Sequence, residues 1–152
     1  MDSIGRLELI IGGMMSGKTT ELIRVGERYE IINKKVCFVN SVKDTRAMKS
    51  CGNLNNLQLG NIQTHNNDTK QCIKCEYVSE LTDVLSQFDV FAIDEGQFFD
   101  DLNFTIELVN KYNKIVIISG LDGDYKQQKF GKIIDLIPQC DTLIKLHALC
   151  NI

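Results

Sequence analysis

The sequence predicts an α/β protein, a parallel β-sheet with helices on both faces. Three observations predict it. Four short, mostly apolar runs, at residues 7–11, 36–39, 90–93 and 115–119, read as strands buried on both faces. Stretches with helical spacing stand between several of them. A glycine-rich segment separates the first run from the first helix, where such folds bind ligands.

The elements follow in order. Residues 7–11 form a strand that stops at Gly12-Gly13. A helix begins at Lys18, and Leu22, Val25, Tyr29 and Ile32 fall on one stripe of it. Gly26 within that stripe weakens the helix by about 1 kcal/mol. Residues 36–39 form a second strand. From 41 to 80 the periodicity dissolves among asparagines (53, 55, 56, 61, 66, 67), which reads as a long mobile connection with at most short elements. Residues 79–87 suggest a short helix. Residues 90–93 form a third strand, 102–111 a helix and 115–119 a fourth strand. A polar loop spans 120–130. A short apolar segment, 133–137, is closed by the single proline, Pro138, and 142–149 reads as a last strand.

The 152 residues suffice for one domain that buries about 70% of its unfolded surface. No internal repeat or linker interrupts them. Hydrophobic residues make up 43% and charged residues 24%, with a net charge of −3, so an anionic ligand must be held by local geometry and not by the overall field. No basic stretch of the kind that binds nucleic acid is present. No apolar run reaches the roughly 18 residues that span a membrane. Residues 1–6 lack the order of a secretion signal, which points to the cytosol and to six reduced cysteines. Cys72 and Cys75 form a C-x-x-C with no second pair and no spaced histidine. They read as two free thiols in a mobile loop and not as a metal site.

Gly12-Gly13-Met14-Met15-Ser16-Gly17-Lys18-Thr19 matches G-x-x-x-x-G-K-[ST], with Thr20 extending it into the helix. Glycines let the chain curl until several backbone N–H groups face one point, and the helix adds its positive end. Lys18 supplies a charge for the β and γ phosphates of ATP, and Thr19 a hydroxyl for Mg²⁺. The fold expected is therefore P-loop NTPase-like. The strand Val90-Phe91-Ala92-Ile93 delivers Asp94 at its carboxyl end, placed to hold the Mg²⁺. Glu95 is expected to point away from Asp94 because side chains alternate along an extended chain. One acid on the metal and one facing an acceptor hydroxyl is the pairing a kinase needs.

Further segments cluster with these: Asp44-Thr45-Arg46, Gly96-Gln97-Phe98-Phe99, Leu121-Asp122-Gly123-Asp124-Tyr125, Phe130-Gly131-Lys132-Ile133 and Leu136-Ile137-Pro138. In this order they resemble the thymidine kinases of animal cells, bacteria and poxviruses, from about residue 5 to 150. The resemblance implies ATP-dependent phosphorylation of the 5′-hydroxyl of thymidine. It makes Glu95 the base, with Lys18 and Arg46 at the reacting phosphate and Asp44 near the metal. Gln97 is counted with the nucleotide-binding residues and, with Phe98, lies along the acceptor. Met14, Phe98, Leu121, Tyr125 and Phe130 wall the thymine pocket. An independent argument supports the aromatics, because a neutral base needs flat apolar walls. The resemblance also implies a homotetramer.

The sequence departs from that family in two places. Residues 51–75 are longer than usual. The chain stops at Ile152, where the family continues through a structural zinc site and a loop closing over the base. The expectation is a single truncated kinase domain, 1–152, that retains no zinc. Two other enzymatic or switching classes fit less well. A nucleoside monophosphate kinase carries an arginine-rich lid, and residues 122–129 hold lysines but no arginine. A GTPase-like switch reads guanine with Asn-Lys-x-Asp, and neither Asn33-Lys34 nor Asn113-Lys114 continues that way. A truncated module that binds nucleotide without turnover is the remaining alternative.

Overall fold

The computed structural model describes residues 4–13, 16–44, 52–54, 57–63, 69–121 and 132–147. Their order is β1 (Arg6–Gly12), α1 (Lys18–Ile31), β2 (Val36–Ser41), β3 (Gly52–Leu54), β4 (Leu57–Gln63), β5 (Thr69–Cys75), β6 (Val90–Ile93), α2 (Phe104–Asn110), β7 (Ile115–Leu121) and β8 (Thr142–Leu146). Short 3₁₀ helices lie at Val78–Gln87, Gly96–Phe98 and Ile134–Gln139.

The strands form one sheet in the order β3-β4-β5-β2-β6-β7-β1-β8. From β5 to β8 every neighbouring pair is parallel. β4 runs antiparallel to β5, and β3 to β4. The central strands are largely apolar, β6 at every position, because both faces are covered. Leu9, Ile11, Phe91, Ile93, Val116 and Ile118 enter one core with Leu81, Phe99, Leu102, Leu108 and Leu136. The alternate residues Ile10, Val90, Ala92 and Ile117 enter a second core on the opposite face, beneath Leu22, Ile23 and Val25 of α1. Burying side chains of this size stabilises the fold by about 1.5–3 kcal/mol each.

The predicted stripe of α1 holds for Leu22, Val25 and the partly buried Tyr29, whose hydroxyl donates to Glu8 Oε2 at 2.7 Å. It fails at Ile32, which is 61% exposed, because the helix stops at Ile31 and the chain reverses through Asn33 at φ 67°. Gly26 does not interrupt the helix. A Cβ there would lie 2.7 Å from Phe38 Cζ, so glycine lets α1 settle onto β2.

The described part of the stretch 41–80 is not the connection with at most short elements that was expected. It contains β3, β4 and β5, which extend the sheet on one side. β4 buries Leu57, Gly60 and Ile62 and leaves Gln58 and Gln63 exposed, so it needs few apolar residues and hides among polar ones. Cys72 and Cys75 sit not in a loop but in β5, and each is 2% exposed. Burial pushes the Cys75 thiol up, and the nearby acids Glu80 and Asp101 push it further.

Smaller differences fall at boundaries. The helix expected at 102–111 is α2, Phe104–Asn110. The one expected at 79–87 is a 3₁₀ helix, Val78–Gln87, broken at Val84. Asp101 accepts from the Val78 and Ser79 N–H groups and ties that helix to the segment behind β6. Pro138 lies inside the last 3₁₀ helix and does not close it, since so short a turn loses one hydrogen bond to it. The last strand ends at Leu146. Among the described residues no helix is long and apolar enough to cross a membrane, which says nothing of a β-barrel.

Candidate active site

Those of the residues singled out above that the structure describes gather at the carboxyl edge of the parallel strands. β1 ends at Gly12, β6 at Ile93, β7 at Leu121, and Asp44 follows β2 by three residues. Gly17 turns the chain into α1 with φ 85° and ψ 22°, a left-handed conformation that glycine adopts without strain. Lys18 opens the helix and is nearly buried. Its Nζ donates to Gly13 O at 2.7 Å and to Ser16 Oγ at 3.4 Å, and Ser16 Oγ donates to Gly13 O at 2.9 Å. The ammonium is thus folded back over the loop that would cradle phosphates. Thr20 occupies the first turn of α1. Met14 and Met15 lie outside the described residues.

Thr19 Oγ1 donates to Asp94 Oδ1 at 3.0 Å, and Ser119 Oγ donates to the same oxygen at 2.9 Å. The Asp94 amide still pairs with β2, donating to Val39 O at 2.8 Å. Asp94 is 4% exposed, and its carboxyl is pushed up to about 6. Burial is the main cause, and the charges of Glu95 and Asp44 add to it. The bonds from Ser119 and Thr19 oppose the shift. A carboxylate whose charge is disfavoured, beside a hydroxyl oxygen, suits a hard divalent cation. Mg²⁺ needs only one or two protein oxygens when substrate phosphates and water complete its shell. Among the described residues no group of three or more His, Cys, Asp or Glu is arranged around a metal.

Asp44 is buried. It accepts from Asn40 Nδ2 at 3.3 Å through its carboxylate and from Lys74 Nζ at 3.3 Å through its carbonyl. Thr45 and Arg46, next along the chain, lie outside the described residues.

Glu95 is also buried, and strand alternation does not set its direction. The strand ends at Ile93, and Glu95 has φ 52° and ψ 54°. A left-handed turn in the backbone, and not the alternation of an extended strand, therefore directs the second acid. Its carboxylate accepts a hydrogen bond from Gln97 Nε2, and Gln97 Oε1 accepts from the Leu121 N–H at 3.1 Å. Phe98 is half-buried beside this bridge, whereas its neighbour Phe99 plugs the core. Leu121 is half-buried at the end of β7. Tyr125 and Phe130 lie outside the described residues, so of these four residues expected to line a pocket only Phe98 and Leu121 are described.

The sequence reading missed Ser119, Asn40 and Lys74. Each is a polar residue closing or following a run of strand residues, and that position was the available signal. In an otherwise buried strand a lone polar side chain must find a partner.

A family model described as thymidine kinase matches residues 5–152. The chain belongs to the thymidine kinase family. It is 38% identical to the thymidine kinase of Sheeppox virus over 146 residues, 96% of this chain and 76% of that protein. It is 36% identical to thymidine kinase 1 of Dictyostelium discoideum, over 97% of this chain and 63% of the relative. Against the thymidine kinase of Oryza sativa the identity is also 36%, over 97% of this chain and 54% of the relative. The chain thus spans between about half and three quarters of these thymidine kinases.

Proposed function

We propose that this chain moves the γ-phosphoryl group of ATP to the 5′-hydroxyl of thymidine, giving thymidine monophosphate and ADP. The observation that carries the reading is the Thr19–Asp94 hydrogen bond with Glu95 one residue further on, which joins a phosphate-binding loop to a candidate base. Lys18 would leave Gly13 O for the β- and γ-phosphate oxygens. Thr19 and Asp94 would hold Mg²⁺, which when bound supplies positive charge to the β- and γ-oxygens. Glu95 would take the proton of the 5′-hydroxyl as the new O–P bond forms and the bond to ADP breaks. Arg46 would approach the transferring group. Gln97 and Phe98 would lie along the acceptor. Met14, Leu121, Tyr125 and Phe130 would complete the walls of the thymine pocket.

The family resemblance supports the remaining parts of this reading: thymidine and ATP as small-molecule substrates, a homotetramer, and work in the cytosol supplying DNA precursors. Incubation with γ-labelled ATP, Mg²⁺ and a panel of nucleosides and nucleoside monophosphates tests it. Label appearing in thymidine monophosphate is the expected result. Label passing to a monophosphate acceptor, or nucleotide binding with no transfer, would overturn it.

A further inference from the structure

Among the described residues three that are not glycine have positive φ: Asn33, Glu95 and Asn113. Asparagine tolerates that region because its short amide bonds locally, whereas a glutamate gains nothing from it. Glu95 is also 7% exposed, so its carboxylate is held in a conformation and a burial that both need support. Strain of this kind persists where the surroundings over-determine it.

Gln97 supplies such support. Its amide has a polar end for each neighbour. Nε2 donates to Glu95 Oε2, and Oε1 accepts from the Leu121 backbone N–H at 3.1 Å. Because Leu121 belongs to β7, the orientation of the amide is fixed from the rigid sheet. The nitrogen must then face Glu95, since reversing the amide would oppose two acceptors on one side and two donors on the other. The chain itself reinforces the arrangement, as Phe98 N–H donates to Glu95 O at 3.1 Å.

We propose that Gln97 is a positioning residue for Glu95, and not a nucleotide ligand. It transmits the position of the β7 end to the carboxylate that takes the proton. This rests on Glu95 being the base of the proposed reaction. A donor on one carboxylate oxygen restricts how the carboxylate can turn, and transfer depends on such orientation.

The test is a double-mutant cycle between Gln97→Met and Glu95→Gln, read as turnover and as affinity for ADP·Mg²⁺ by calorimetry. Gln97→Met alone should lower kcat about 10- to 100-fold, the range for residues that orient a reacting group, with ADP·Mg²⁺ affinity unchanged. In the Glu95→Gln background it should cost nothing further, because its effect passes through Glu95. Gln97→Glu gives a second route, since it keeps an acceptor for Leu121 N–H and removes the donor to Glu95; it should lose turnover in the same way. Losses that multiply in the double variant, or an equal loss of ADP·Mg²⁺ affinity, would overturn the proposal. Full turnover by Glu95→Gln alone would overturn the base assignment itself, a failure distinct from additivity.

Discussion

The hydroxyl oxygen of Thr19 and the carboxylate of Asp94 lie 3.0 Å apart although 75 residues separate them in the chain. Thr19 is there because Gly17 turns the chain into α1 two residues earlier. Asp94 is there because β6 packs between β2 and β7 and releases the chain at the same edge. The contact is therefore a product of sheet order, and it joins the two halves of the proposed nucleotide site.

Lys18→Ala should abolish phosphoryl transfer, by about 10²-fold or more, as expected for a group that stabilises charge on the migrating phosphate. The fold should survive, since alanine is the best helix former and Lys18 sits in the first turn of α1. Steady-state assays with circular dichroism check both halves. Near-normal turnover would remove Lys18 from the donor site.

Asp94→Asn should leave the nucleotide-free protein as stable as before or raise its melting temperature. A buried carboxylate whose charge is disfavoured by burial, Glu95 and Asp44 is replaced by a neutral group. The amide oxygen can still accept from Thr19 and Ser119. The same change should remove the gain in ADP affinity that Mg²⁺ brings. Thermal melts, with ADP titrations in the presence and absence of Mg²⁺, give the two readings. A marked fall in melting temperature would mean that the carboxylate is structural.

Cys37, Cys72 and Cys75 should resist alkylation in the native protein. All three are buried, and burial pushes the thiols of Cys37 and Cys75 up, so little thiolate is present. Cys140 is only half-buried and should react sooner. Timed iodoacetamide labelling with peptide mapping checks this. Rapid modification of Cys72 and Cys75 would restore the mobile loop first expected for that segment.

The central strands were legible because strands buried on both faces leave unbroken apolar runs, as Ile115–Leu121 shows up to Ser119. The phosphate loop was legible because its chemistry dictates glycine, lysine and threonine at set spacings. β4 was not, since an antiparallel strand toward the sheet edge buries only alternate residues, and Gly60 and Asn61 break even that pattern. The bridge from Gln97 to Leu121 was hidden for another reason. It depends on β6 and β7 being neighbours, which local periodicity does not encode. Strand alternation does not set the direction of Glu95, because its backbone leaves the extended region one residue after Asp94.

The central claim is that Glu95 serves the acceptor while Thr19, Lys18 and Asp94 serve the donor. Glu95→Gln tests it most directly, with turnover and ATP·Mg²⁺ affinity measured on the same preparation. Turnover should fall about 10²- to 10⁴-fold, the usual contribution of a general base, while ATP·Mg²⁺ affinity stays the same. An equal loss in both would make Glu95 a donor-side residue and contradict the account.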